Sequence, residues 1–251
     1  MEQYHSLLTQ SQVVPSDEPD WGDSVPSSLK RRDPRILQIA YVAALRIIQN
    51  LSPEQLPNSV VVATAFGALD ETKNFLDGVY SDGFGSPRNF ITSVHNSIAG
   101  KVALEFKIKG PNITICDGQN SLASAIGAVD LLLPENFPVL LLCIDERIEL
   151  LDTIVDSFNR SGKNCGTSSW KDGCVGFLIG ESELSGKYNI RASGPVPANA
   201  TDDYQDISAL QPAKMLFEHV NNRHQKPLKI NSYSPVSKSC AVIEVITNVP
   251  K

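Results

Sequence analysis

The sequence predicts an α/β fold in which helices cover a largely buried, mixed sheet. One observation is a series of short apolar runs, rich in β-branched residues, that have the length of buried strands. The other is that longer segments with apolar residues at helical spacing lie between these runs. The strand-like runs cover residues 59–67, 112–116, 137–145, 173–181, 187–194 and 240–249. Such alternation is typical of a layered α/β domain.

The first part of the chain, residues 1–27, is predicted to be an extended arm, followed by one domain over residues 28–251. The arm is polar and contains three prolines. A helix is predicted to begin after Asp33 and Pro34, because Asp is a good N-cap and Pro suits the first helical position. Apolar residues then recur at helical spacing over residues 36–47, so this helix should bury one broad face.

Further helices are predicted after each of the next strands. Residues 69–82 form an amphipathic pattern, and residues 86–106 are interpreted as a loop that leads into another helix. Apolar residues over 122–129 share one helical side, and residues 207–222 predict a last long helix. A polar stretch over residues 160–171 interrupts this pattern.

Composition excludes several classes of function. The chain has 251 residues, of which 41% are hydrophobic and 20% charged, as in ordinary globular proteins. A net charge of −6 disfavours binding to nucleic acid or to an anionic membrane. The cysteines show no C-x-x-C spacing, and no apolar run reaches the length of a membrane span. We therefore expect a cytoplasmic protein without a metal or a cofactor. The five cysteines are Cys116, Cys143, Cys165, Cys174 and Cys240.

Side chains that titrate or attack are scarce at recognisable positions. The sequence contains no G-x-S-x-G elbow, Walker loop, G-x-G-x-x-G or H-E-x-x-H. Cys116 ends an apolar run and is interpreted as a buried core thiol. His95 lies in a polar turn, where a structural role is the alternative to a functional one. Asp145 follows a strand without a sign of a paired acid and base. The histidines interpreted as surface residues are His5, His219 and His224.

One strand–helix junction is unusual. The apolar run at 113–116 stops at Asp117 and Gly118, and Gln119 stands where the next helix begins. Many α/β enzymes place a nucleophile at such a junction, because a helix N-terminus stabilises negative charge. An amide can neither attack a thioester nor titrate, so the junction is predicted to be inert.

The segment GPNITICDGQNSLASAI, residues 110–126, resembles the nucleophile segment of the β-ketoacyl synthases. Its Gly-Pro pair, short strand, glycine and serine fall on the positions of that pattern, and Gln119 falls on the nucleophilic cysteine. Other stretches resemble the family in order and spacing. They are VVVATAFGALDET (60–72), SVHNSIAGKVALEFKIKGP (93–111), WKDGCVGFLIGE (170–181) and, weakly, KINSYSPVSKSCAVIEV (229–245).

The resemblance implies the N-terminal half of a thiolase fold with a mixed sheet of the five-stranded type. The C-terminal half, which supplies two catalytic histidines in the synthases, is then largely missing. Gln in place of Cys, together with the short form, is similar to the chain length factors of type II polyketide and aryl-polyene pathways. The resemblance therefore implies a non-catalytic subunit that forms a heterodimer with an active β-ketoacyl-ACP synthase. The acyl carrier protein is expected to contact mainly that partner, because this chain is acidic.

The resemblance also implies two groups of site residues. The strand before the nucleophile position pairs across the dimer in the family, and Phe66 together with the loop at 90–98 would shape the acyl tunnel. An ordinary core position is the alternative for Phe66. The expected interface residues are Asn112, Ile113, Thr114, Ile115 and Cys116, and the expected tunnel residues are Phe66, Phe90, Val94, His95 and Ser97.

Two alternatives to the chain length factor remain. One is a malonyl-thioester decarboxylase of the kind that carries Gln at the nucleophile position, although such domains retain both histidines. The other is a scaffold that stabilises a ketosynthase without shaping a tunnel. A Phe66→Ala variant would separate the scaffold from the chain length factor.

Overall fold

The computed structural model describes residues 3–162, 172–181, 187–197 and 207–247, which contain one eight-stranded sheet and eight α-helices. The strands are β1 (His5–Val13), β2 (Ser59–Thr64), β3 (Asn112–Cys116), β4 (Val139–Asp145), β5 (Gly173–Gly180), β6 (Tyr188–Pro197), β7 (Leu228–Ser234) and β8 (Ser239–Thr247). The helices are α1 (Ser27–Arg32), α2 (Arg35–Ile48), α3 (Leu69–Asp82), α4 (Pro87–Ser93), α5 (Ser97–Phe106), α6 (Ser121–Val129), α7 (Leu151–Arg160) and α8 (Leu210–Asn221). The sheet is mixed, because β2 pairs in parallel with β3 and β4 and the other pairs are antiparallel.

The α/β class is confirmed, but the sheet has eight strands rather than the expected five. Their order is β3-β2-β4-β5-β1-β6-β8-β7. The first five strands in this order end with β1. The sheet then continues into β6, β8 and β7, because β1 has partners on both sides. It pairs with β5 along most of its length and with β6 through His5–Leu7. A register shift between Leu7 and Thr9 marks a bulge, which bends a strand and re-aims its pairing.

Residues 5–13 form β1 inside the sheet, which corrects the expectation of an extended arm over residues 1–27. Polar residues alternate along this strand and hide it from pattern analysis. The two buried serines are tolerated inside because each finds a partner: Ser6 Oγ donates to Asn189 Oδ1 at 3.1 Å, and Ser11 Oγ donates to the Ala43 carbonyl at 2.8 Å. The boundary of the domain itself stays a prediction.

Helices cover both faces of the first part of the sheet. On one face α2 and α5 pack against β2 and β4, and on the other face α6 and α8 pack against the same strands. Helix α6 also contacts β6 and β8, so the sheet curves around it. Strands β2 and β4 are buried at every position, as their apolar runs predict. This packing fixes the carboxyl ends of β2, β3 and β4 next to the start of α6.

Helix α4 differs from the interpretation of the sequence. Residues 87–93, interpreted as loop, form α4, which begins with Pro87 at a position that suits proline. Cys165 and most of the polar stretch at 160–171 lie outside the described residues. Among the helices of the described ranges, none combines the length and the apolarity that crossing a membrane requires.

Candidate functional site

The turn after β3 forms the candidate site. The strand ends at Cys116, residues Gly118–Asn120 form a 3₁₀ turn, and α6 begins at Ser121. Gly118 has a φ of 51°, which an L side chain rarely adopts, so glycine is required for this sharp turn. The turn places Gln119 at the strand–helix junction with only 6% of its surface exposed.

Both ends of the Gln119 amide are hydrogen bonded. Its Nε2 donates to Gln211 Oε1 at 2.7 Å, and the backbone N–H of Tyr233 donates to its Oε1 at 3.1 Å. A backbone N–H next to a nucleophile is the kind of donor that stabilises an oxyanion during acyl transfer. Here the amide oxygen itself takes that hydrogen bond, and neither partner of the amide is a histidine. The arrangement therefore holds an unreactive group in place and offers no acid or base to a substrate.

The histidines take part in other contacts. His5, predicted to be on the surface, is buried with its Nε2 2.6 Å from Asp130 Oδ1. His219 is also buried, with its ring edge against Tyr188 and its face near His224. Burial, together with His224, lowers the pKa of His219. The surface interpretation is wrong for His5 and His219 because both rings fill space between strands and helices.

Strand β3, the expected interface, lies at one edge of the sheet and is only partly buried. The Pro111 carbonyl accepts a hydrogen bond from the Val60 N–H at 2.9 Å, which fixes the direction of the peptide groups that follow. In a parallel pair, peptide groups face the partner strand at every second residue. Those of Asn112, Thr114 and Cys116 therefore point away from β2, on the side where the described part of the chain places no strand.

Cys116 is exposed, which corrects its interpretation as a core thiol. It lies at the end of the edge strand, and its Sγ donates to the Ala65 carbonyl at 3.0 Å. Partial burial of the sulfur, with smaller effects of Asp145 and Asp117, raises the pKa of Cys116 to about 11. A thiol with such a pKa is protonated at neutral pH and is a poor nucleophile.

Two of the expected tunnel residues lie side by side. Phe66 is half buried and packs against the core that contains α6 and α8. Gly67 follows it with a φ of 58°, and the ring of His95 lies directly against this glycine. A Cβ at residue 67 would be 2.1 Å from His95 Nδ1, so the loop before α5 packs on the turn after β2.

The other expected tunnel residues lie in and directly after α4 and at the start of α5. Phe90 and Val94 are 56% and 44% exposed, while Ser97 is half buried and donates to the Thr92 carbonyl. Phe90 also contacts the ring of Phe75, at 5.4 Å between centroids. Phe90 and Val94, together with exposed residues of α3, α4 and the segment between them, make up what we call the α3–α4 apolar surface, whose members are all large, apolar and exposed. They are Leu76, Val79, Tyr80, Phe84, Phe90, Ile91 and Val94.

Comparison with known proteins places the chain in a family. Residues 6–161 match the family model described as "Beta-ketoacyl synthase, N-terminal domain". The chain belongs to the β-ketoacyl synthase family. No curated protein sequence matches it significantly.

Several solved structures share the fold of this β-ketoacyl synthase family member. "The ishigamide ketosynthase/chain length factor" is 14% identical with a TM-score of 0.70, covering 97% of this chain and 99% of that chain. The ketosynthase ApeO in complex with its chain length factor ApeC, from Xenorhabdus doucetiae, is 14% identical with a TM-score of 0.67, covering 96% and 98%. The complex AntDE:AntF, a type II acyl-carrier protein with its ketosynthase, is 10% identical with a TM-score of 0.70, covering 98% and 100%. These similarities support the thiolase-like fold that the sequence predicts.

Sequence reasoning missed a buried carboxylate next to the site of this family member. Asp145 ends β4 and accepts four hydrogen bonds: Thr64 Oγ1 (3.0 Å) and the Ala65 N–H (2.7 Å) donate to Oδ1, and Ser208 Oγ (2.9 Å) and the Ala209 N–H (2.8 Å) donate to Oδ2. Burial raises its pKa to about 6, although these hydrogen bonds act in the opposite direction. Each carboxylate oxygen already accepts two hydrogen bonds, so Asp145 joins β2, β4 and the start of α8 and is not available to a substrate. An acidic residue directly after a fully apolar run is the signal that could have identified it.

The buried Glu146 predicts a pH dependence of stability. Burial raises its pKa to about 8, with a further increase from Asp70 and a decrease from Arg35, 3.9 Å away. Between its ordinary pKa and this value the folded protein binds more protons than the unfolded chain, so stability falls as pH rises. From this group alone we expect the free energy of unfolding to fall by about 3–4 kcal/mol between about pH 5 and pH 8. Denaturant titrations over this range would measure it.

Glu146→Gln should make this profile clearly less steep, because the amide does not titrate, while the raised pKa of Asp145 keeps part of the slope. Glu149→Gln is the control, since the Glu149 side chain is 74% exposed and its change should leave the slope as it was. A Glu146→Gln variant with the original slope would contradict the assignment.

Proposed function

We propose that the chain is a non-catalytic subunit that pairs with an active β-ketoacyl-ACP synthase in polyketide or aryl-polyene biosynthesis. The observation that carries the proposal is the fixed amide of Gln119, at the position that the resemblance of residues 110–126 assigns to the family's nucleophilic cysteine. Both ends of this amide are occupied, and its partners include no histidine. A subunit that cannot form an acyl-enzyme contributes to condensation through a partner that can.

The proposed interface is β3 with the α3–α4 apolar surface. An edge strand with outward peptide groups binds another strand readily, and proteins usually cover or protect such an edge. The α3–α4 apolar surface supports the same conclusion, because α3 has no buried residue and large exposed apolar surfaces mark interaction sites. The similar structures named above include complexes of a ketosynthase with its chain length factor, which supports pairing with a ketosynthase.

We further propose that Phe66 limits the length of the acyl chain. Phe66 follows β2, and His95 packs on the adjacent Gly67. The half-buried ring of Phe66 therefore lies beside the loop that joins the α3–α4 apolar surface. A bulky ring stops a growing chain by occupying the volume that further carbons need. The acyl carrier protein is proposed to dock mainly on the partner, because this chain carries a net charge of −6 and carrier proteins are acidic.

The proposal is tested by co-expression with each ketosynthase encoded nearby, followed by size-exclusion chromatography and a condensation assay. Co-elution in equal amounts, with elongation only in the presence of this chain, supports it. A stable homodimer that leaves the activity of every ketosynthase unchanged contradicts it. Release of CO₂ from malonyl carrier protein by this chain alone would favour the decarboxylase alternative.

Phe66→Ala should lengthen the product of the assembled complex by one or more elongation units. The side chain is half buried, so the free energy of unfolding should also fall by about 2 kcal/mol, less than for a fully buried phenylalanine. Mass spectrometry of products released by the complex measures the first effect. Phe158→Ala is a matched control, because Phe158 also packs partly buried against the same core but lies on α7. Equal product lengths in both variants would favour the scaffold alternative.

A further inference from the structure

The turn that carries Gln119 also binds the β7–β8 hairpin through consecutive polar side chains. Ser237 Oγ, in the hairpin turn, donates to Asp117 Oδ1 at 2.8 Å. Asn120 donates from Nδ2 to the Ser239 carbonyl at 2.9 Å and accepts from Ser232 Oγ at 2.8 Å. These contacts connect positions more than a hundred residues apart in sequence.

Gln119 extends this connection to α8. Its amide oxygen binds the backbone of β7 at Tyr233, and its amide nitrogen binds Gln211 in the first turn of α8. Strand β7 pairs with β8 and forms the second edge of the sheet. The Tyr233 N–H of this strand donates to Gln119 and is therefore not used in pairing with β8. Gln119 thus binds both β7 and α8 to the turn, beside the hydrogen bond that joins Asn120 to Ser232 of β7.

We propose that residues 117–120 form a polar clasp that holds the β7–β8 hairpin and the start of α8 on the rest of the fold. In this clasp Gln119 is required as an amide with a donor and an acceptor, and not merely as a replacement for a reactive residue. The inference concerns the chain by itself and does not depend on a partner.

The chemistry of the contacts explains why other residues would fit less well. A carboxylate accepts but does not donate, a thiol is a weak donor, and an asparagine is one methylene shorter. Each would leave a buried donor or acceptor without its partner, and an unsatisfied buried group costs more than an average hydrogen bond contributes. Glutamine satisfies both groups at once.

Amide hydrogen exchange followed by NMR tests the clasp. In the natural protein the Tyr233 N–H should be protected although it lies on an edge strand. In Gln119→Leu, a change of similar size, its exchange should accelerate by about tenfold or more relative to amides inside the sheet, such as that of Ile243. Gln49→Leu, the same change at an exposed residue, should leave Tyr233 protected.

Rapid exchange of Tyr233 in the natural protein, or unchanged exchange in Gln119→Leu, would overturn the proposal. If Gln119→Leu does not fold, Gln119→Glu replaces it: the acceptor for Tyr233 remains, so its protection should persist. A double-mutant cycle of Gln119→Leu and Gln211→Leu should show coupling, because the two amides bind each other. Strict additivity of their effects on unfolding would contradict the link to α8.

Discussion

Thr114→Pro should strongly weaken assembly with a β-ketoacyl synthase while leaving the fold of this chain intact. The peptide group of Thr114 points away from β2, as the bond between Pro111 and Val60 establishes, so its N–H makes no hydrogen bond within the sheet. Proline removes this N–H and adds a ring at the outer edge, where proline is tolerated within a protein. An antiparallel strand from a partner would lose a hydrogen bond and meet the ring, which we expect to weaken binding at least about tenfold.

Size-exclusion chromatography of the co-expressed subunits measures this effect, and circular dichroism verifies the fold. Thr114→Val is the matched control, because it keeps the N–H and the shape while it removes only the buried hydroxyl, which has no hydrogen-bond partner within the described ranges. Co-elution of Thr114→Pro at the level of the Thr114→Val control would place the interface away from β3.

Asp145→Asn should lower the free energy of unfolding by about 2–4 kcal/mol, although the change is nearly isosteric. Each carboxylate oxygen accepts from one hydroxyl and one backbone N–H, those of Ala65 and Ala209. A hydroxyl can rotate to accept, but a backbone N–H cannot. Whichever way the asparagine amide is turned, its NH₂ group therefore faces the backbone N–H of either Ala65 or Ala209, and both groups are donors. Removing the charge relieves some desolvation, but it leaves a buried N–H without an acceptor.

Denaturant unfolding near neutral pH would measure the loss. Asp152→Asn is a suitable control because the Asp152 side chain is 70% exposed and pairs with Arg147 only at 3.6 Å, so its loss should be within about 0.5 kcal/mol. A stability of Asp145→Asn equal to that of the control would mean that the four contacts do not act together.

The sequence predicted those elements whose pattern depends on local burial. β2, β4 and α2 have uniform or periodic apolar residues, and each lies where expected. Strand β1 was missed because its inward polar residues are satisfied by partners such as Asn189, far away in sequence. Cys116 was misplaced because an apolar run does not reveal whether a strand lies in the centre or at the edge of a sheet.

The candidate site was predictable in position but not in its contacts. Gly118 and Gln119 at the end of an apolar run indicated the strand–helix junction, and the structure has it there. The amide partners Gln211 and Tyr233 are 92 and 114 residues away and carry no local signal. The same holds for Ser208, which meets Asp145 only after α8 has packed on the sheet.

The central position of β1 has a consequence for how the chain folds during synthesis. Strand β1 leaves the ribosome well before its partners, because β5 begins only at Gly173 and β6 at Tyr188. The nascent strand cannot form these pairs until β5 and β6 have also emerged, and pairings over such sequence distances form slowly. A transiently open strand of this kind is prone to aggregate, so the yield of folded protein should depend on chaperones and on the speed of translation.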